Sequence, residues 1–152
     1  MKKVVKIIGI WAIGGIVVLG ALSYALKKDT GVLVKKGSIY TMKIDRKLDN
    51  GETKIVEFSI DNVLVDSLKL SEEKIESICN TAVIWADFNV KNKPTYNLPK
   101  TAALLYVSKN EHPVVVIIGG TAENSFGVAS DIHTYIPFDE KGEVVSEEIS
   151  SL

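Results

Sequence analysis

The sequence predicts an α+β protein: an N-terminal transmembrane helix, then one small domain with a mainly antiparallel sheet and one packed helix, in ββαβββ order. Three observations carry this prediction. Twenty consecutive residues, from Ile7 to Leu26, are uncharged; several later segments alternate apolar and polar residues; and one segment repeats apolar residues at three- and four-residue spacing. Strands grouped on both sides of a single helix are typical of the α+β class. The predicted boundaries are a basic N-terminus at 1–6, a transmembrane signal-anchor at 7–26, a basic juxtamembrane stalk at 27–36, the domain at 37–140 and a polar tail at 141–152.

Residues 7–26 have the length and composition of a membrane-spanning helix. At 1.5 Å per residue the run covers roughly 30 Å, the thickness of a bilayer's hydrocarbon core. A soluble helix of this length would show a polar face, and this run has none. The large apolar side chains of the predicted anchor include Ile7, Ile10, Trp11, Ile13, Ile16, Val17, Val18, Leu19, Leu22 and Leu26.

The same run can also be interpreted as a cleaved signal peptide, because Ala21, Ser23 and Ala25 are small residues that a peptidase accepts. Apolar residues continue to Leu26 and lysines follow at once, which favours an uncleaved anchor. A short basic N-terminus ahead of a first apolar helix predicts a single-pass inner (plasma) membrane protein with its domain outside the cytoplasm. The seven basic residues within 27–47 favour a cytoplasmic domain instead, so that topology stays open.

Charge and cysteine content limit the function classes. Beyond Leu26 the chain has 15 basic and 19 acidic residues, a net charge near −4, which argues against a nucleic-acid partner. The basic residues within 27–47 can lie against anionic lipid headgroups or form an ordinary solvated stalk. Cys79 is the only cysteine, so no intrachain disulfide can form. The predicted partners are therefore the lipid bilayer and another protein.

The domain begins with a predicted hairpin. Residues 40–45 and 56–60 each alternate apolar with polar side chains, and Asn50-Gly51 between them suits a turn. One apolar and one polar face predict a sheet that is covered on one side only. A short extended piece at 63–65 is expected to follow.

A single helix is predicted after the hairpin. Ser71 is its expected N-cap, with Glu72 and Glu73 in the first turn, where the helix dipole favours negative charge. Residues 83–90 also alternate like a strand, but we favour a helix to about Phe88. The stripe that predicts this helix consists of Ile75, Ile78, Cys79, Ala82, Trp85, Ala86 and Asn89, of which all but Asn89 are apolar.

Three further strands are predicted beyond a proline-containing loop at 92–99. They cover 102–108, 114–118 and 130–138. The middle one has five successive β-branched residues, which indicates a central strand buried on both faces and ending at Gly119-Gly120. Trp85 and Ile117 are accordingly expected in the core. The residues after Lys141 are polar and acidic and are expected to form a flexible tail.

No motif of useful specificity for catalysis, metal or nucleotide binding occurs in the chain. The segment from Gly119 to Gly127 lacks the lysine and hydroxyl residue that close a phosphate-binding loop. Asp131 and His133 would share one side of a strand, where a carboxylate and an imidazole can form an acid–base pair, and Glu123 lies in the glycine-rich segment. Because His112 is the only other histidine, zinc is disfavoured, and ordinary surface residues are the simpler interpretation.

These observations predict a non-catalytic interaction or assembly component of the bacterial cell envelope, without metal or cofactor. The alternative is a small ligand-binding or hydrolytic domain that uses the glycine-rich segment with Asp131 and His133. A cleft enclosing His133 together with Glu123 would favour that alternative.

Overall fold

The described part of the chain in this computed structural model consists of residues 30–90, 95–98, 101–107 and 112–151. The predicted N-terminus at 1–6, the anchor at 7–26 and the first three residues of the stalk lie outside it. None of the helices in the described residues is long and apolar enough to cross a bilayer. Gly31–Leu152 form one structural unit.

Seven strands form one sheet in the order of the sequence. All neighbours are antiparallel except β3 and β4, which run parallel and are connected through the helix α1 (Glu72–Asn89). Parallel neighbours need such a crossover, whereas antiparallel ones can be joined by a tight turn. The strands are β1 (Val34–Lys36), β2 (Ile39–Lys47), β3 (Thr53–Asp61), β4 (Thr101–Tyr106), β5 (Val114–Glu123), β6 (Ala129–Phe138) and β7 (Ser150–Ser151).

This architecture confirms the α+β class, the mainly antiparallel sheet and the single packed helix. The predicted ββαβββ order corresponds to β2, β3, α1, β4, β5 and β6. The edge strands β1 and β7 were not predicted, because two or three residues are too few to show alternation.

The helix α1 begins where the sequence predicts. The hydroxyl of Ser71 accepts a hydrogen bond from the backbone N–H of Lys74 at 3.2 Å, as an N-cap does. The helix continues to Asn89, so the helical interpretation of residues 83–90 is confirmed. Its buried side chains are Ile75, Ile78, Cys79, Ala82, Val83 and Ala86.

The core lies between α1 and one face of the sheet, where α1 contacts β2, β5 and β6. Inward-facing side chains alternate with outward-facing ones along each strand. The largest fully buried side chains are Phe58, Phe138, Met42, Ile44, Ile60, Leu64, Ile75, Ile78, Leu104, Ile118 and Ile136.

The prediction of an extended segment at 63–65 is wrong, since Val63–Ser67 form a short π-helical turn. The carboxylate of Asp61 accepts the backbone N–H of Val63 at 2.8 Å, which turns the chain directly after β3. The N–H of Leu68 then donates to the carbonyl of Val63 at 2.9 Å. This turn places Leu64 in the core with no exposed surface.

The prediction that β5 ends at Gly119-Gly120 is also wrong, because β5 continues to Glu123. A Cβ atom on Gly120 would lie 2.6 Å from Cε2 of Tyr96 and 3.0 Å from the carbonyl oxygen of Asn97. Glycine therefore allows the neighbouring segment to approach, and Asn97 exchanges hydrogen bonds of 2.8 and 3.0 Å with Thr121.

Burial of β5 on both faces is not observed. Val114, Val116 and Ile118 are buried, whereas Val115 and Ile117 are half-buried on the other face. Ile117 therefore lies outside the core. Trp85 is only partly buried, although it packs against the core.

Residues 141–151, expected to form a flexible tail, follow the edge of the sheet. Val144 forms a bridge with Phe138, and the N–H of Val145 donates to the carbonyl of Pro137 at 3.0 Å. β7 then pairs with Thr134 and Tyr135 of β6. Backbone pairing depends little on side-chain type, so the polar composition of this segment gave no sign of it.

Candidate functional site

Asp131 and His133 lie on the same face of β6, as predicted. In register they stand opposite Thr121 and Gly119 of β5. A Cβ atom on Gly119 would lie 3.4 Å from Cδ2 of His133, so the imidazole lies across the glycine. Both residues line a shallow depression of about 580 Å³, which also contains Asn97, Ala103, Ile117 and Thr121.

Glu123 is not brought to this depression. It ends β5 opposite Ala129, four residues beyond Gly119, which corresponds to about 13 Å along a strand. Its backbone N–H instead donates to the hydroxyl of Thr95 at 2.9 Å. Within the described residues, the depression that contains His133 therefore does not include Glu123.

The rest of the glycine-rich segment is a closed turn between β5 and β6. The side-chain oxygen of Asn124 accepts the N–H groups of Phe126 and Val128 at 2.9 and 3.1 Å. Gly127 has a φ of +75°, which glycine adopts without strain. The side-chain oxygen of Asn124 is thus occupied by hydrogen bonds within the turn. Phe126, at the tip of the turn, is 88% exposed.

The potential nucleophile and metal ligands are dispersed. Cys79 is fully buried, and burial, followed by the negative charge of Glu76, raises the pKa of its thiol far above the ordinary range. Among the described residues, no three His, Cys, Asp or Glu side chains are grouped so that they could hold a metal ion.

A second place, not identified from the sequence, lies where Arg46, Asp87 and Tyr96 meet. Arg46 is only 5% exposed and donates to Asp87 through Nε at 3.0 Å and through Nη2 at 2.6 Å. Its guanidinium carbon lies 5.3 Å from the ring centroid of Tyr96. The aromatic face and the carboxylate together accommodate this buried cation.

Two polar atoms at this place have no hydrogen-bond partner within the described part of the chain: Nη1 of Arg46 and the hydroxyl of Tyr96. Tyr96 is 5% exposed. Its burial, and next the charge of Asp87, raise the pKa of its hydroxyl to about 12 against the opposing effect of Arg46. The hydroxyl therefore keeps its proton at neutral pH.

Arg46, Asp87 and Tyr96 line a pocket of about 520 Å³ beside the β2–β3 hairpin. Lys54 stands directly opposite Arg46 in the register of this hairpin and also lines the pocket. The remaining lining residues are Lys47, Leu48, Asp49, Asn50 and Glu52.

One sequence signal could have indicated this pocket. Met42, Ile44 and Arg46 occupy alternate positions of β2, so the alternation places a cation on the apolar face. The contributions of Asp87 and Tyr96 could not be foreseen, because they come from a helix and a loop whose packing is not encoded in local spacing. No known family model, curated protein or solved structure shows a significant match to this chain.

Proposed function

We propose that this chain is a non-catalytic interaction component of the bacterial cell envelope, held at the bilayer by residues 7–26. Its domain would bind another protein through the sheet face opposite α1, which we call the open face. One observation carries the proposal: α1 packs on one face of a seven-stranded sheet, and no helix of the described residues packs on the other. Large apolar side chains on the open face are 39–52% exposed, namely Val34, Ile39, Ile55 and Leu105.

In the register of the strands, small side chains lie at the centre of the open face. A row of side chains crosses the sheet through small residues, Ser59 and Ala103, before reaching Ile117. Small central side chains allow another protein to approach the sheet closely. An apolar centre of this kind matches a partner that presents a ridge of aliphatic side chains.

Charged groups of both signs occur on the open face. Lys36 pairs with Glu57 at 2.8 Å, and this hydrogen bond lowers the pKa of the Glu57 carboxyl below its ordinary value. Lys43 and Asp45 contribute one charge of each sign on the same face of β2. Apolar contact rather than charge would therefore drive binding, and salt would affect it little.

Site-specific photo-crosslinking in intact cells tests the proposal. A photoreactive residue replaces Leu105 on the open face or, as a control, exposed Asn80 on α1. We expect a discrete protein adduct from position 105 only, with a yield that changes less than about twofold between low and high salt. Ile55→Glu should abolish that adduct while the protein level is unchanged. Equal adducts from both positions, or none from position 105, would contradict the proposal.

A small ligand-binding or hydrolytic domain is the second candidate, because Asp131 and His133 line one depression. His133 is exposed, so His133→Ala should leave the melting temperature unchanged. Because His133 itself lies on the open face, only the loss of a measured ligand-binding or hydrolytic activity from a normally folded His133→Ala protein would favour the second candidate instead.

A further inference from the structure

The guanidinium of Arg46 is only partly used by its ion pair. Nε and Nη2 donate to Asp87, whereas Nη1 is buried and has no partner in the described residues. An N–H group of a buried cation is costly to leave unpaired, so such groups are normally bound to protein, water or ligand. The Arg46 side chain is 5% exposed, so this unpaired N–H group belongs to a buried cation.

The hydroxyl of Tyr96 repeats this arrangement in the same pocket. It is buried, it has no partner in the described residues, and its raised pKa keeps it a donor. Two residues that line this pocket therefore have hydrogen-bond donors without an acceptor in the described part of the chain. A ligand that pairs with both must carry acceptor atoms, which a purely cationic group lacks.

Lys54 adds a positive charge to the lining of the same pocket. It stands directly opposite Arg46 in the hairpin register, on the same face of the hairpin. Asp87 neutralises Arg46, but no ion pair of Lys54 occurs among the described residues. An anion in the pocket would give Lys54 a counter-charge, whereas a neutral water molecule would not.

We propose that the pocket formed by Arg46, Lys54 and Tyr96 binds an oxyanion, the carboxylate or phosphate group of a small ligand. The volume of about 520 Å³ is within the usual range of small-molecule sites. Asp49 and Glu52 line the hairpin side of the pocket, and their charges disfavour a polyanion. The ligand therefore carries one anionic group on an otherwise neutral or cationic frame.

Arg46 is the only arginine in the chain, which gives a direct probe. The full chain, labelled with ¹⁵N-arginine, is placed in nanodiscs of zwitterionic lipid and titrated with acetate or inorganic phosphate. Chloride at matched ionic strength corrects for general salt effects. We expect a saturable shift of the Arg46 side-chain signals with at least one oxyanion, and the two titrations distinguish a carboxylate site from a phosphate site.

Matched variants identify the donors. Tyr96→Phe removes only the hydroxyl and should weaken oxyanion binding about tenfold, while Lys54→Gln should weaken it several-fold. Tyr135→Phe and Lys43→Gln, which alter the open face, should bind as the unaltered chain does. The proposal is overturned if neither oxyanion gives a saturable shift, or if Tyr96→Phe binds as tightly as the unaltered chain. Neither result depends on whether a protein binds the open face.

Discussion

At the scale of single residues, Arg46 and Asp87 form an ion pair whose partners differ in exposure. The side chain of Arg46 is 5% exposed and that of Asp87 is 31% exposed. Attraction within such a pair is offset by the cost of removing both charges from water, so the pair adds little net stability. Removal of one partner is different, because the other charge then stays buried without compensation.

Asp87→Ala should therefore lower the free energy of unfolding by about 3–5 kcal/mol, measured by denaturant titration of the full chain in detergent. Asp45→Ala is the matched control, since this exposed carboxylate lies beside Arg46 on the opposite face of β2, and a change within about 0.5 kcal/mol is expected. The double variant Arg46→Met with Asp87→Leu should recover most of the loss. Equal effects of the two aspartate variants would contradict this account.

The sequence pattern predicted the strand face of a residue better than it predicted which other side chains lie beside it. The two-residue spacing of Asp131 and His133 placed both on one face of β6, and the structure confirms it. Glu123 was grouped with them because Gly119-Gly120 were interpreted as the end of β5. Spacing alone does not distinguish a glycine that ends a strand from one that admits a neighbouring segment.

At the scale of elements, two adjacent glycines of β5 face different surroundings. Gly120 faces Tyr96 and the backbone of Asn97, at Cβ distances of 2.6 and 3.0 Å. Gly119 faces only the imidazole of His133, at 3.4 Å, an ordinary contact. Neither has a positive φ, so backbone strain does not distinguish them.

Gly120→Ala should consequently destabilise the domain by about 1–3 kcal/mol, because the loop at 95–98 must shift away from β5. Gly119→Ala should change stability by less than about 1 kcal/mol and can increase it by restricting the unfolded chain. Thermal unfolding of the two variants beside the unaltered chain measures the difference. The explanation for glycine within this strand fails if Gly120→Ala is tolerated as well as Gly119→Ala.

At the scale of the whole molecule, the sheet has one covered and one open face, and the β2–β3 alternation predicted this. The β-branched run of β5 led to the wrong expectation, because Val115 and Ile117 are half-buried on the open face, where no helix of the described residues packs. A continuous apolar run indicates burial on both faces only when a second layer packs on the sheet. Within the described part of this chain no such layer occurs, and the run is fully buried on one face only.

The orientation of the domain relative to the bilayer can be tested with the full chain fused after Leu152 to alkaline phosphatase. The enzyme needs disulfides that form outside the cytoplasm. We expect an active fusion, because a short basic N-terminus followed by the 7–26 segment predicts export of the domain. Deletion of 7–26 should abolish the activity, and a green fluorescent fusion at the same point should stay dark.

Inactive phosphatase with a bright fluorescent fusion would show that the seven basic residues within 27–47 hold the domain in the cytoplasm. The same cells also test the anchor itself. An uncleaved anchor predicts that the fusion keeps its N-terminal methionine and stays in membranes after carbonate washing. A mature form that begins near Tyr24 or Leu26 would instead identify 7–26 as a cleaved signal peptide, and the domain would then meet its partner without a membrane tether.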